Sequence, residues 1–171
     1  MKTTRILKIM HVFAWIALIG LSIKAGALII SYFVSLGNEG AAKDLFEDMN
    51  LIAYKQNSLV HYSIIVAYRI IQFSLQVYIA FVVVKLLSNF NINRPFNLIA
   101  LRAMQTISYS LLLMWAIVVT HNIHVGILES TTGIKATLIS SEFVLIAGIV
   151  YVFSLLFKRG LELQSENDLT I

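Results

Sequence analysis

Four long apolar runs, Ile6 to Leu36, Ser58 to Leu87, Leu98 to Val125 and Ala136 to Phe157, take up most of this chain. Each meets or exceeds the roughly 20 residues that a helix rising about 1.5 Å per residue needs to cross about 30 Å of hydrocarbon. A bilayer core has no water to satisfy peptide groups, so only helices or closed barrels span it. The runs lack the alternating pattern of barrel strands. The chain is therefore expected to be all-α, an integral membrane four-helix bundle, with spans near 7–34, 58–87, 98–124 and 136–157 and a polar tail over 158–171.

Only 13% of the residues are charged and 58% are hydrophobic, so nothing is left over for a soluble domain. The longest connection, Gly37 to Asn57, is too short to bury a core of its own, and one domain is the expected parse. No cysteine is present, which excludes disulfides, thiolate metal sites and cysteine nucleophiles. The first run follows a basic segment containing Lys2, Arg5 and Lys8, but it is about twice as long as a signal-peptide core of 7 to 15 residues and should be retained as a span.

The cations sort by side. Lys2, Arg5, Lys8, Lys85, Arg94, Arg102, Lys158 and Arg159 fall at one set of helix ends, and only Lys43, Lys55 and Lys135 at the other. Because short basic loops stay inside, this places the chain in the cell inner (cytoplasmic) membrane with both termini cytoplasmic and with Gly37–Asn57 and Gly126–Lys135 outside. Topology thus accounts for the net charge of +4, and no direct nucleic-acid binding is expected.

The outer loop carries Glu39, Asp44, Glu47 and Asp48, and Ala41–Phe46 suggests a short interfacial helix. In the inner loop Pro95 forces a break between the second and third spans.

Charges within spans are costly, about 2.5–3.5 kcal/mol each on insertion scales, and so point to function or pairing. Lys24, Arg69 and Glu142 each lie sixteen residues from an inner boundary cation, Lys8, Lys85 and Lys158 respectively. At about 1.5 Å per residue they share one level, roughly 24 Å from the inner surface. An interhelical pairing of Glu142 with Lys24 or Arg69 is the expectation. Ala17, Gly20, Lys24, Ala27 and Ser31 form a small-residue face on the first span, and Arg69, Gln72 and Gln76 a polar face on the second, continued by Gln105 and Ser108 on the third. This seam reads either as glue between helices or as a pocket in the outer half, with Lys24, Arg69, Gln72, Gln76 and Glu142 around an anionic guest.

His61 begins the second span, and His121 and His124 share a face near the outer end of the third. They are weak metal candidates, or His61 with one of the pair could grip a haem from both sides. Glu129 is the nearest further ligand, and His11 has no evident partner. Trp15 and Trp115 read as belt and packing residues. Phosphate loops, nucleophile elbows, HExxH and paired carboxylates are all absent, so no catalysis and no cofactor is expected.

The segment NRPFNLIALRAMQTISYSLLL, Asn93 to Leu113, and the terminus FKRGLELQSENDLTI, Phe157 to Ile171, resemble the bacterial membrane-protein family called domain of unknown function 2975. The resemblance implies four spans, a Pro-Phe pair before the third helix and an acidic tail ending as Glu166, Asn167, Asp168, Leu169, Thr170 and Ile171 do here. Family members are often encoded beside a small helix-turn-helix regulator. The implied role is a non-enzymatic membrane-embedded regulator or sensor whose tail docks such a cytoplasmic partner through Glu162, Glu166, Asp168, Leu169 and Ile171. The alternative is a ligand-handling protein, a metal or haem binder or a transporter component.

Overall fold

The computed structural model describes residues 2–46, 49–90, 97–135 and 137–168. The fold is all-α, with no strand among the described residues. Helix α1 spans Lys2–Gly37, a 3-10 turn follows at Glu39–Ala42, and α2 (Ile52–Asn57), α3 (Leu59–Ser88), α4 (Leu98–Thr132) and α5 (Phe143–Asp168) complete the order. Segments of α1, α3, α4 and α5, namely Arg5–Gly37, Leu59–Ser88, Leu98–Thr132 and Phe143–Glu166, are long and apolar enough to cross a membrane. Large apolar side chains stand outward along them, among them Ile23 at 67% exposure and Leu145 at 71%, as a lipid-facing surface requires. Pro95 and Arg94, and Glu47 and Asp48, lie outside the described residues.

Two compact units divide the chain, one built from 1–19, 78–113 and 142–171, the other from 20–77 and 114–141. The second holds a core cluster in which Leu28, Ala42, Leu45, Leu51, Tyr54, Tyr62, Ile65, Val66, Val125 and Leu128 are all buried. Four of these come from the outer loop and α2, so that connection is packed structure rather than a bare link. Its short helical pieces are Glu39–Ala42 and Ile52–Asn57, not the expected Ala41–Phe46. Backbone bonds explain the difference: Leu51 N–H to the Ala42 carbonyl and Leu45 N–H to the Met49 carbonyl fold the loop back on itself. Lys55 donates to the Ser35 carbonyl, placing a cation at the carbonyl end of α1.

Three further expectations are corrected. The packed face of α1 runs through Ala14, Leu18, Leu21, Ala25, Leu28, Tyr32 and Ser35, one residue on from the small-residue face, because Leu28 and Tyr32 supply bulk that Ala27 and Ser31 lack. Helix α4 does not end near Val125 but continues to Thr132, with Val125 and Leu128 buried. It stops at Gly133, whose φ of 73° is the left-handed C-cap conformation that glycine adopts without strain.

The fourth long helix starts at Phe143, not Ala136. Asn122 of α4 donates from Nδ2 to the Ile139 carbonyl at 2.8 Å and accepts the Ile139 N–H at Oδ1 at 2.9 Å. Both backbone groups of Ile139 are thereby satisfied outside a helix. Within the other unit, Ser108 Oγ donates to the Ala147 carbonyl at 2.9 Å, with both residues buried, joining α4 to α5 as an interhelical bond.

Candidate functional site

The polar side chains that the structure gathers lie on α3 and α4 within the second unit. Spacings of seven and four put His61, Tyr68 and Gln72 on one face of α3, while on α4 Met114, Val118, His121, Val125 and Leu128 make the buried stripe. His121 is therefore fully buried, and His124 flanks it at half burial.

His61 Nδ1 and His124 Nε2 are hydrogen-bonded at 3.1 Å, which requires one of the two nitrogens to be a bare acceptor. The Tyr68 ring stands edge-on to His121 at 5.7 Å and to His124 at 6.1 Å, measured between centroids. The geometry around Asn122 fixes the His121 tautomer. Since the Ile139 N–H identifies Oδ1 as the amide oxygen, and an oxygen there only accepts, His121 Nδ1 at 3.2 Å is the donor. His121 Nε2 is then the bare nitrogen; it is buried and, like Gln72 Oε1, has no hydrogen-bond partner among the described residues. Arg69 lies within electrostatic reach of His121 and makes no ion pair among the described residues. The arrangement thus combines two buried acceptors, a hydrogen-bonded imidazole pair and a guanidinium.

Metal chemistry is limited by ligand number. A tetrahedral ion with bonds of about 2.0–2.1 Å would separate two imidazole nitrogens by roughly 3.3 Å, close to the observed His61–His124 distance. No group of three or more His, Cys, Asp or Glu able to hold a metal is present among the described residues, and Glu129 is exposed. A haem gripped from both sides needs its two axial nitrogens about 4 Å apart with a macrocycle between them. The direct bond between His61 and His124 occupies that space, so these residues do not fit a haem.

The other expected site residues have different surroundings. Lys24 is in this unit, its ammonium lying 6.0 Å from the Phe46 ring centroid and 5.7 Å from that of Phe73, a cation–π setting. Gln76 is half-buried on α3. Glu142 is exposed on the turn before α5, which removes it from the interior position expected of it. His11 has partners after all: Trp15 Nε1 donates to its Nε2 at 3.1 Å, and Ser88 Oγ lies 3.0 Å from the same nitrogen.

The tail is helical. Helix α5 runs past Lys158 and Arg159 to Asp168, and Glu162 pairs with Arg159 at 3.1 Å. Leu169 and Ile171 lie outside the described residues, as does the side chain of Asp168. Sequence reasoning passed over Tyr68 and Asn122. The available signal was spacing, since Tyr68 stands two turns from His61, and Asn122 is an amide beside a histidine in an apolar run.

Comparison with curated proteins and with solved structures found no match. The family described as "Protein of unknown function (DUF2975)" matches over residues 40–171, from the outer loop through the end of α5. This covers well over half of the chain and includes both segments on which the sequence resemblance rests, so the chain belongs to that family.

Proposed function

We propose that this chain is a non-enzymatic, multi-pass protein of the bacterial inner membrane that acts as a regulator, presenting the last turns of α5 to a small cytoplasmic helix-turn-helix protein. The observation that carries the reading is the continuity of α5 beyond its boundary cations. Membrane insertion needs nothing after Lys158 and Arg159, yet the helix persists through Glu162, Leu163 and Glu166 to Asp168. Arg159–Glu162 and the Ser165 hydroxyl bond to the Glu162 carbonyl are local supports for these turns. An exposed acidic helix with Leu161 and Leu163 offers electrostatic steering together with apolar anchors.

Two measurements test this reading together. An alkaline phosphatase fused after Ile171 should be inactive, since both termini are proposed to be cytoplasmic. Truncation after Gly160 should leave insertion unchanged and abolish pull-down of the proposed helix-turn-helix partner. Retained pull-down would sink the docking role, and an active fusion the orientation.

A second reading is favoured by the buried acceptors His121 Nε2 and Gln72 Oε1. An unpaired buried polar atom costs about 1–3 kcal/mol, which a small hydrogen-donating guest would relieve. Under this reading the outer half of α3 and α4 handles such a ligand beside Arg69. Absorbance and metal analysis of the purified protein separate a metal from an organic guest.

A further inference from the structure

The first unit contains a groove of about 430 Å³ between the end of α3 and the start of α4. Its volume is within the roughly 300–1,000 Å³ typical of small-molecule sites. Its walls are mainly apolar, with Phe81 and Val82 from α3 and Ile99 and Ala103 from α4. Lys85 and Arg102 are its only charged lining residues among the described residues.

Helix register explains why the charges sit where they do. Lys85 lies three residues before the last residue of α3 and Arg102 four after the first of α4. At about 1.5 Å per residue, both are within roughly one turn of the ends of membrane-spanning helices, which is headgroup level. Phe81, Val82 and Ala103 continue the lining from that level. Neither cation makes an ion pair among the described residues, and both are exposed. Asn89 donates to the Lys85 carbonyl at 2.8 Å, fixing the rim beside it.

We propose that this groove binds an anionic phospholipid, its phosphodiester held by Lys85 and Arg102 and an acyl chain lying along Phe81, Val82 and Ala103. The chemistry is complementary at both ends. A guanidinium forks onto phosphate oxygens, an ammonium adds a point charge, and the apolar walls accept hydrocarbon. Basic sites between spanning helices at the cytoplasmic surface recognise anionic headgroups on the same physical basis. A free phosphate ion would satisfy the two cations but would leave the apolar walls unused, so the lipid is the favoured source of the phosphate.

The test is native mass spectrometry of the full chain in detergent, titrated with dioleoyl phosphatidylglycerol or dioleoyl phosphatidylcholine. Wild type should retain the anionic lipid about tenfold more tightly than the zwitterionic one. Lys85→Gln with Arg102→Gln should abolish that preference, whereas Lys158→Gln with Arg159→Gln, removing as many interfacial cations elsewhere, should preserve it. Ala103→Phe, which fills the groove while keeping both charges, should weaken retention. Millimolar inorganic phosphate should not compete. Competition by phosphate would assign the cations to a free anion and overturn the lipid proposal. Equal loss in both double variants would reduce the effect to diffuse charge attraction and overturn it as well. If the Lys85 and Arg102 variant does not fold, the wild-type comparison decides, and equal retention of the two lipids refutes the proposal.

Discussion

Replacing Tyr62 by alanine is expected to destabilise the protein in detergent by about 3–5 kcal/mol, as for other buried aromatic truncations. Tyr62 has no exposed surface and sits on α3 among Leu28, Ile65 and Val66, with the Tyr32 ring 6.0 Å away. The cost arises chiefly from lost packing, because helices in lipid gain little from hydrophobic transfer and depend on close contact. Tyr62 Oη also lies 2.5 Å from Ser35 Oγ, so the truncation removes a buried hydrogen bond between α3 and α1. Tyr62→Phe separates the two effects. It keeps the ring and loses only the hydroxyl, while Ser35 Oγ still donates to the Tyr32 carbonyl at 2.6 Å. A loss of about 1 kcal/mol is expected for that variant. Denaturation followed by circular dichroism measures both, and a loss below about 1 kcal/mol for Tyr62→Ala would show that this cluster is not the stabilising core.

The helices themselves were legible because a bilayer leaves an apolar run of more than 20 residues almost no other structure to adopt. Their ends and faces were less so. The small-residue rule selected Ala17, Gly20 and Ala27 on α1, but the packed stripe passes through Leu28 and Tyr32, whose bulk meets a core built partly from the outer loop. Sequence periodicity alone contains no information about that loop, since Leu45, Leu51 and Tyr54 are brought in by its backbone fold. The histidine site was partly readable. Helical spacing and depth put His61 at the level of both His121 and His124 without choosing between them; in the structure His61 bonds to His124, and His121 is held by Asn122 and Tyr68. Glu142 was misplaced because an apolar boundary was read as a helix boundary. The acidic segment after Gly160 is helical through Asp168 because it extends an existing helix and so avoids the cost of nucleation.

The same long-range bond that displaced the start of α5 carries the last prediction. Asn122→Ala is expected to destabilise the protein by about 2–3 kcal/mol, because one side chain holds both backbone groups of Ile139 and also accepts from His121. Ile139 is only half-buried, so water recovers part of the loss, which keeps the expected cost below that of two fully stranded groups. Asn122→Leu, of similar size, should cost nearly as much, and would thereby distinguish lost bonding from lost volume. Hydrogen exchange gives the more specific readout. The Ile139 amide should lose its protection in either variant, while amides in the middle of α5, bonded within their own helix, should keep theirs. His121 provides an independent signal, since loss of the Asn122 oxygen removes the acceptor that fixes its proton on Nδ1, and nitrogen chemical shifts should report a redistribution toward Nε2. Unchanged Ile139 protection with an unchanged His121 tautomer would mean that residues 137–141 are positioned without Asn122.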